Sequence, residues 1–274
     1  MMGRVFRCLW MLSLLVASAS GGERPVLRVG MDTRAYPWCY VPGLDYSKED
    51  QGQPPAIIPA QVKQLVGLDI DVLHALARRL TADVEIVPMS WFELEKGLVA
   101  GRYDLLLSSW TPSPSTPEEI AASPPYVEWG LLVVVRADSP IRAYADLDAG
   151  RVGHYDDPSV ARALKSLAGG RFRIYRDATA MFADLKGGAL DGVIYDSTYV
   201  RRRVADDASF RVLGAPLNRL GYHVGVRTSD AALRARVATA IHAAVAAGEM
   251  ERIRRKWESA EVPRPEPRVS QPRP

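Results

Sequence analysis

Short β-branched apolar runs alternate with helix-periodic runs along most of the chain, and this alternation restricts the fold more than any other feature. The first series runs from a strand at 26–32 through a helix at 67–80, a strand at 83–89 and a helix at 93–101 to a continuous apolar strand at 103–110. In the first helix Ile70, Leu73, Leu76, Ala77 and Leu80 fall on one face, and Asp69 stands where an N-cap belongs. A further strand, 130–138, leads to a second series: strands at 151–155, 171–177 and 190–196, each followed by a helix, then strands at 210–216 and 222–228. An alanine-rich helical region, 230–257, closes the chain and is broken at Gly248. Strand–helix alternation with buried apolar strands predicts parallel sheets covered by helices on both faces. Two series predict two doubly wound α/β layers, and ligands of such sheets sit beyond the carboxyl ends of the strands. That rule selects Asp32, residues 108–111, residues 155–157 and Asp196.

The ends and the longest loop depart from this pattern. Arg4 and Arg7 precede an apolar run that ends in Ala17-Ser18-Ala19, the form of an exported leader cleaved after Ala19. Its loss lowers the formal charge from +3 to +1 and leaves Cys39 as the sole cysteine, so an intramolecular disulfide is excluded. A near-neutral balance gives no footing for nucleic acid. Residues 42–66 are rich in proline and polar residues and read as a loop, and the tail from 258 to 274 repeats proline and reads as disordered.

The stretch SSWTPSPSTPEEIAASPPY, residues 108–126, follows the buried strand and holds no basic residue. Arg102 and Arg136 bracket a segment free of lysine and arginine. Prolines there limit the loop's freedom and present Ser108, Ser109 and Thr111 at the strand end. No nucleophile elbow, phosphate loop or dinucleotide fingerprint is present, and His74, His154, His223 and His242 lack metal-ligand spacing. No metal and no cofactor is expected.

Several segments, taken in order, resemble a known family. GLDIDVLHALARRL, WFELEKGLVAGRYDLLLSSWTPS, SPPY, LKGGALDGVIYDSTYV and AAGEMERIRRKW are similar to the successive motifs of bacterial extracellular solute-binding proteins of the polar amino-acid type, which serve ABC importers. The resemblance implies two α/β lobes joined by two crossing strands, with the ligand in the cleft between them. Carried over, residues 26–135 form the first lobe, 136–219 the second, and 220–257 return to the first. The crossing strands then lie near 133–137 and 216–222. It also implies a monomer in the periplasm that closes on a small solute and is recognised by a membrane permease.

For the site, the resemblance places Ser108, Ser109 and Thr111 on an amino acid's carboxylate and amine, Trp91 against its side chain, and Asp196 on its ammonium. Tyr36, Tyr155, Asp157 and Ser159 occupy further ligand-binding positions. The departures are specific. Ala35 stands at the family's first-strand aromatic, with Tyr36 beside it, and Trp38 replaces a phenylalanine. Asp157-Pro158-Ser159, after Asp156, replaces Gly-Thr-Thr. Thr116 replaces the arginine that clamps the ligand carboxylate, and Arg34 is the nearby substitute. Two ligand classes follow: an amino-acid-like solute held by the hydroxyls and Arg34, or an amine without a carboxylate drawn to Asp196, Asp156 and Asp157. The alternatives are a ligand-binding partner of a membrane sensor, or an enzyme similar to cyclohexadienyl dehydratase with Asp196 or Asp157 as general acid, whose pattern the chain does not match.

Overall fold

The computed structural model describes residues 24–43, 62–155, 160, 163–164 and 169–259. The leader, much of the 42–66 loop, Asp156, Asp157, Ser159 and the proline-rich tail lie outside the described residues. In chain order the elements are β1 (Val26–Met31), α1 (Leu68–Leu80), β2 (Asp83–Pro88), α2 (Leu94–Val99), β3 (Leu105–Leu106), β4 (Ile120–Ala122), β5 (Val127–Trp129) and β6 (Leu131–Arg136). They continue with β7 (Arg151–Tyr155), β8 (Arg171–Tyr175), α3 (Ala178–Lys186), β9 (Gly192–Asp196), α4 (Ser197–Asp206), β10 (Phe210–Leu213), β11 (Leu220–Tyr222), β12 (Gly225–Arg227), α5 (Ala231–Ala246) and α6 (Glu249–Glu258).

Two five-stranded sheets result, ordered β2-β1-β3-β12-β4 and β10-β6-β9-β7-β8. Each is mixed. β1, β2 and β3 pair parallel, as do β7, β8 and β9, while β12 and β6 enter antiparallel. The antiparallel strands are those next to the crossings between sheets, where the chain arrives without a crossover helix.

The crossing itself is a separate two-stranded ribbon. β5 pairs antiparallel with β11, with Leu220 opposite Trp129 and Tyr222 opposite Val127. This corrects the expected boundary and the first of the two expected crossing strands, while β11 falls within the second, 216–222. Residues 133–137 do not cross between lobes; β6 lies wholly in the second sheet, paired with β9 and β10. The cause is burial on both faces. Leu131, Val133 and Val135 join one apolar cluster, and Leu132 and Val134 join another. β5, by contrast, alternates, with Glu128 exposed between the buried Val127 and Trp129, the pattern of a ribbon with one open face.

The continuous strand expected at 103–110 is shorter in hydrogen bonding than in burial. Only Leu105 and Leu106 form ladder pairs, although Tyr103, Leu106 and Trp110 pack on one side and Leu105 and Leu107 on the other. The last two helices return to the first lobe, where Trp257 Nε1 donates to Asp71 Oδ2 at 2.7 Å and Lys256 pairs with the same carboxylate.

Asp69 is not the N-cap of α1. Gly67 holds that position at φ 146°, and no side chain caps the helix. The Leu68 and Asp69 amides donate instead to the carbonyls of Pro37 and Trp38, at 3.1 and 2.9 Å. A Cβ on Gly67 overlaps the Trp38 carbonyl. Gly67→Ala is therefore expected to destabilise the chain by at least about 1–3 kcal/mol from backbone strain alone. An unchanged urea midpoint contradicts this seating of α1.

Candidate functional site: two buried carboxyls at the lobe crossing

The carboxyl ends of β1, β3 and β9 meet beside the β5–β11 ribbon. Asp196 ends β9 and caps α4, with the Thr198 amide 2.7 Å from Oδ1. Its other oxygen accepts from the Tyr222 hydroxyl, which in turn accepts from Trp38 Nε1 at 3.1 Å. Asp69 repeats this arrangement. Tyr126 Oη donates to Asp69 Oδ1 at 2.7 Å and accepts the Ser109 amide at 3.1 Å. Asp69 Oδ2 is buried without a partner among the described residues. The two tyrosine rings lie 5.9 Å apart, and Tyr222 stacks on Trp129 at 5.3 Å.

Aromatic rings from both lobes also meet one another next to this network. Trp38 from the loop after β1 lies nearly parallel to Tyr199 of α4, centroids 6.4 Å apart, and Tyr36 meets Tyr199 edge-on at 6.3 Å. Tyr199 also touches Tyr195, which contacts Tyr155 at 5.6 Å. Tyr36, Tyr155 and Asp196 of the expected site thus fall in one neighbourhood. Of the residues read from the sequence, Tyr222, Trp38, Tyr199, Asp69 and Tyr126 were not among the site residues. Tyr126 was signalled as the aromatic of SPPY, Tyr222 as the last residue of the expected crossing strand, Asp69 as an expected cap and Trp38 as a departure from the family, while Tyr199 carried no signal.

The hydroxyl loop is largely engaged with its own protein. Ser108 Oγ accepts the Asp32 amide at 3.0 Å, and Ser109 Oγ donates to the Ser108 carbonyl at 2.8 Å. Ser109 takes a left-handed φ of 47°, secured by the bond to Tyr126. Thr111 Oγ1 donates to the Gly221 carbonyl at 2.8 Å and accepts from Trp129 Nε1 at 3.0 Å, so it ties the loop to both crossing strands. Trp91 is half-buried against the first-lobe cluster, its amide 3.2 Å from Asp32 Oδ2. Arg34 sits on Asp32, Nε 3.4 Å from Oδ1, so its charge is already matched. Thr116 donates to Glu95 Oε1 at 2.9 Å, beside Trp110 Nε1 on the same oxygen. A carboxylate therefore stands behind the position where an arginine was expected.

Among the described residues no group of three or more His, Cys, Asp or Glu is placed to hold a metal, and no helix is long and apolar enough to cross a membrane.

Two mixed α/β lobes, a two-strand crossing and a carboxyl at the boundary define the architecture of a two-lobe binding protein. Residues 49–260 match the family model of bacterial extracellular solute-binding proteins, family 3, and the chain belongs to that family. It is 24% identical over 203 residues to ABC transporter arginine-binding protein 1 of Escherichia coli (strain K12), covering 71% of this chain and 82% of that one. It is 23% identical over 213 residues to the L-cystine-binding protein TcyJ of the same strain, covering 76% and 80%. Among solved structures, an ancestral cationic amino acid solute-binding protein superposes with a TM-score of 0.68 at 23% identity, covering 85% of this chain and 96% of that one. An ancestral arginine-binding protein bound to glutamine superposes with a TM-score of 0.64 at 24% identity, covering 86% and 99%. The first of these is named as a binding protein of an ABC transporter, and extracellular solute binding, the role by which the family is described, is the role of this chain.

Burial pushes the carboxyls of Asp69 and Asp196 up to about 7 each, and for Asp69 the charge of Asp196 adds to the rise against the Tyr126 bond. In the unfolded chain each ionises near its ordinary value of about 4. The folded state then holds protons that the unfolded state has lost, so these groups' contribution to stability is full below about pH 4 and falls as pH rises through about 7. Melting temperature is expected to be lower at pH 8 than at pH 5.5, and Asp69→Asn to shrink that difference. An unchanged difference in the variant contradicts the assignment.

Proposed function

We propose that the chain captures a small ammonium-bearing solute, amino-acid-like or a plain amine, between its lobes, with Asp196 as the anchor for the positive charge, and hands it to a membrane ABC permease. The observation that carries this is Asp196 itself: a buried carboxyl at the end of β9 that accepts from the Tyr222 hydroxyl, which Trp38 Nε1 reaches in turn, with Trp38 stacked on Tyr199. Aromatic faces attract cations, and a partly desolvated cation–ring contact is worth about 0.5–2 kcal/mol. The relatives named for arginine and for cationic amino acids support an ammonium-bearing ligand.

The carboxylate end of the ligand has weaker support. With Thr116 at the clamp position, Arg34 on Asp32 and Thr111 committed to the crossing strands, loop amides are the remaining donors. A bidentate arginine–carboxylate contact, once removed, costs about 2–5 kcal/mol. The ligand class therefore leans toward amines in which the carboxylate contributes little. The protein acts as a monomer released from its leader after Ala19, and no bond of the ligand is made or broken. Closure follows from the ligand's contacts with both lobes, which stabilise the closed form over the open one.

A thermal-shift screen of the mature chain with L-arginine, L-glutamine and putrescine tests this. A ligand that binds only the folded state stabilises it by about 2.7 kcal/mol at a hundredfold excess over its dissociation constant. Asp196→Asn keeps the helix cap and removes the charge, so binding is expected to weaken about thirtyfold or more. A ligand whose affinity survives Asp196→Asn places the anchor elsewhere. Binding of arginine and glutamine but not of putrescine shows that the carboxylate is required.

A further inference from the structure

α4 belongs to the second lobe, where Val200 and Val204 pack into the apolar cluster that holds Phe182 and Phe210. It also reaches the first lobe. Tyr199 meets Tyr36 and Trp38 of the loop after β1. One turn further on, Arg202 is buried, and its Nη1 donates to the Ser259 carbonyl at the end of α6. Beside it, Arg201 Nε lies 3.9 Å from Glu258 Oε1, a carboxylate that Arg254 of α6 also holds. α6 is itself seated on the first lobe, through Trp257 Nε1 on Asp71 of α1 and the Trp257 ring against Tyr40. Arg202 therefore bonds across the lobes at a place apart from the β5–β11 ribbon. Its Nε pairs with Asp206 Oδ2 of its own helix at 2.8 Å, so the guanidinium keeps a second-lobe partner when the lobes part.

We propose that Arg202, with the Ser259 carbonyl as its acceptor, latches the second lobe to the first and biases the ligand-free protein toward the arrangement in which Trp38 and Tyr199 touch. The chemistry suits a contact that opens and re-forms. A buried guanidinium is costly without partners, and a carbonyl from the opposite lobe supplies one of them. On separation water takes the place of that carbonyl, so the bond shifts the balance between the two forms without welding them together. A hydrogen bond to a charged group is worth roughly tenfold to a hundredfold in such an equilibrium. Apparent affinity scales with the fraction of protein already in the binding-competent form. The latch thereby lowers the cost of closing on a solute, whichever solute the cleft takes. It also holds α4, which Asp196 caps, against the first lobe before a solute arrives.

Pulsed electron spin resonance between labels on the ligand-free mature chain tests this. Ala100→Cys, beside α2 in the first lobe, and Ala180→Cys, on α3 in the second, are exposed positions, and the native Cys39 is buried. Arg202→Met keeps most of the apolar stem and removes the fork. It is expected to raise the ratio of separated to touching lobes about tenfold or more, seen as a second population at a changed label distance. Arg203→Met is the control. Arg203 lies over Phe182 and Phe210 within the second lobe, and its loss is expected to leave the distribution as it is. Arg202→Gln keeps a donor for Asp206 but is too short to reach Ser259, and it gives the same reading if the methionine variant does not fold. An unchanged distribution in the folded Arg202 variant, or an equal change in Arg203→Met, overturns the latch. Because no solute is added, either result leaves the assignment of Asp196 as anchor untouched.

Discussion

Two carboxyl groups cut off from bulk water sit on either side of the strand crossing, and each is held by one tyrosine hydroxyl. Burying such a group is costly unless its oxygens are bonded or protonated. Asp69 is tied to Tyr126 and Asp196 to Tyr222, and those tyrosines stand on the segment entering β5 and on β11. The rest of the centre is arranged around that need. Ser109 adopts its left-handed backbone to reach Tyr126, Trp38 turns its indole to Tyr222, and Thr111 pins the hydroxyl loop to both crossing strands. The strand crossing thus carries a buried network of hydrogen-bonded polar groups.

The same centre links the lobes through packing. One apolar cluster runs from the first-lobe helices α1 and α5 through Tyr126, Trp129 and Tyr222 to Val152 and Ile194 of the second sheet. Behind it, α4 lies against α6, with the buried Arg202 donating to the Ser259 carbonyl. Gly130 marks the turn out of the ribbon: a side chain there overlaps the Asn218 carbonyl, while Asn218 Oδ1 accepts the Leu131 amide at 2.9 Å. The second lobe is therefore gripped at the start of β6, and rotation about the ribbon leaves β6 in its own sheet.

The fold was legible in the sequence to the extent that periodicity reports burial. Alternating runs identified the strands and helices, and Gly248 identified the break between α5 and α6, where it takes φ 67°. The first crossing strand was misplaced, although 216–222 does hold β11, because a run buried on both faces, such as LLVVV, carries no sign of which sheet it joins. At the site, the strand-end rule selected Asp196 together with Asp32, and the family resemblance singled it out; the structure makes it the cap of α4. Ser108, Ser109 and Thr111 were read as ligand contacts from their place at a strand end and from the family resemblance. The structure engages them with Asp32, the Ser108 carbonyl, Gly221 and Trp129, partners brought in by long-range pairing that no local pattern encodes. Tyr222 escaped notice for the same reason, since its importance lies in which carboxylate it reaches from another strand.

The central claim is that a ligand's positive charge rests on Asp196 between the lobes. The structure of the mature chain crystallised with saturating putrescine or L-arginine tests it most directly. The account predicts an ammonium nitrogen within hydrogen-bond distance, about 3 Å, of the Asp196 carboxylate. An amine bound in the cleft with no ammonium near that carboxylate contradicts it.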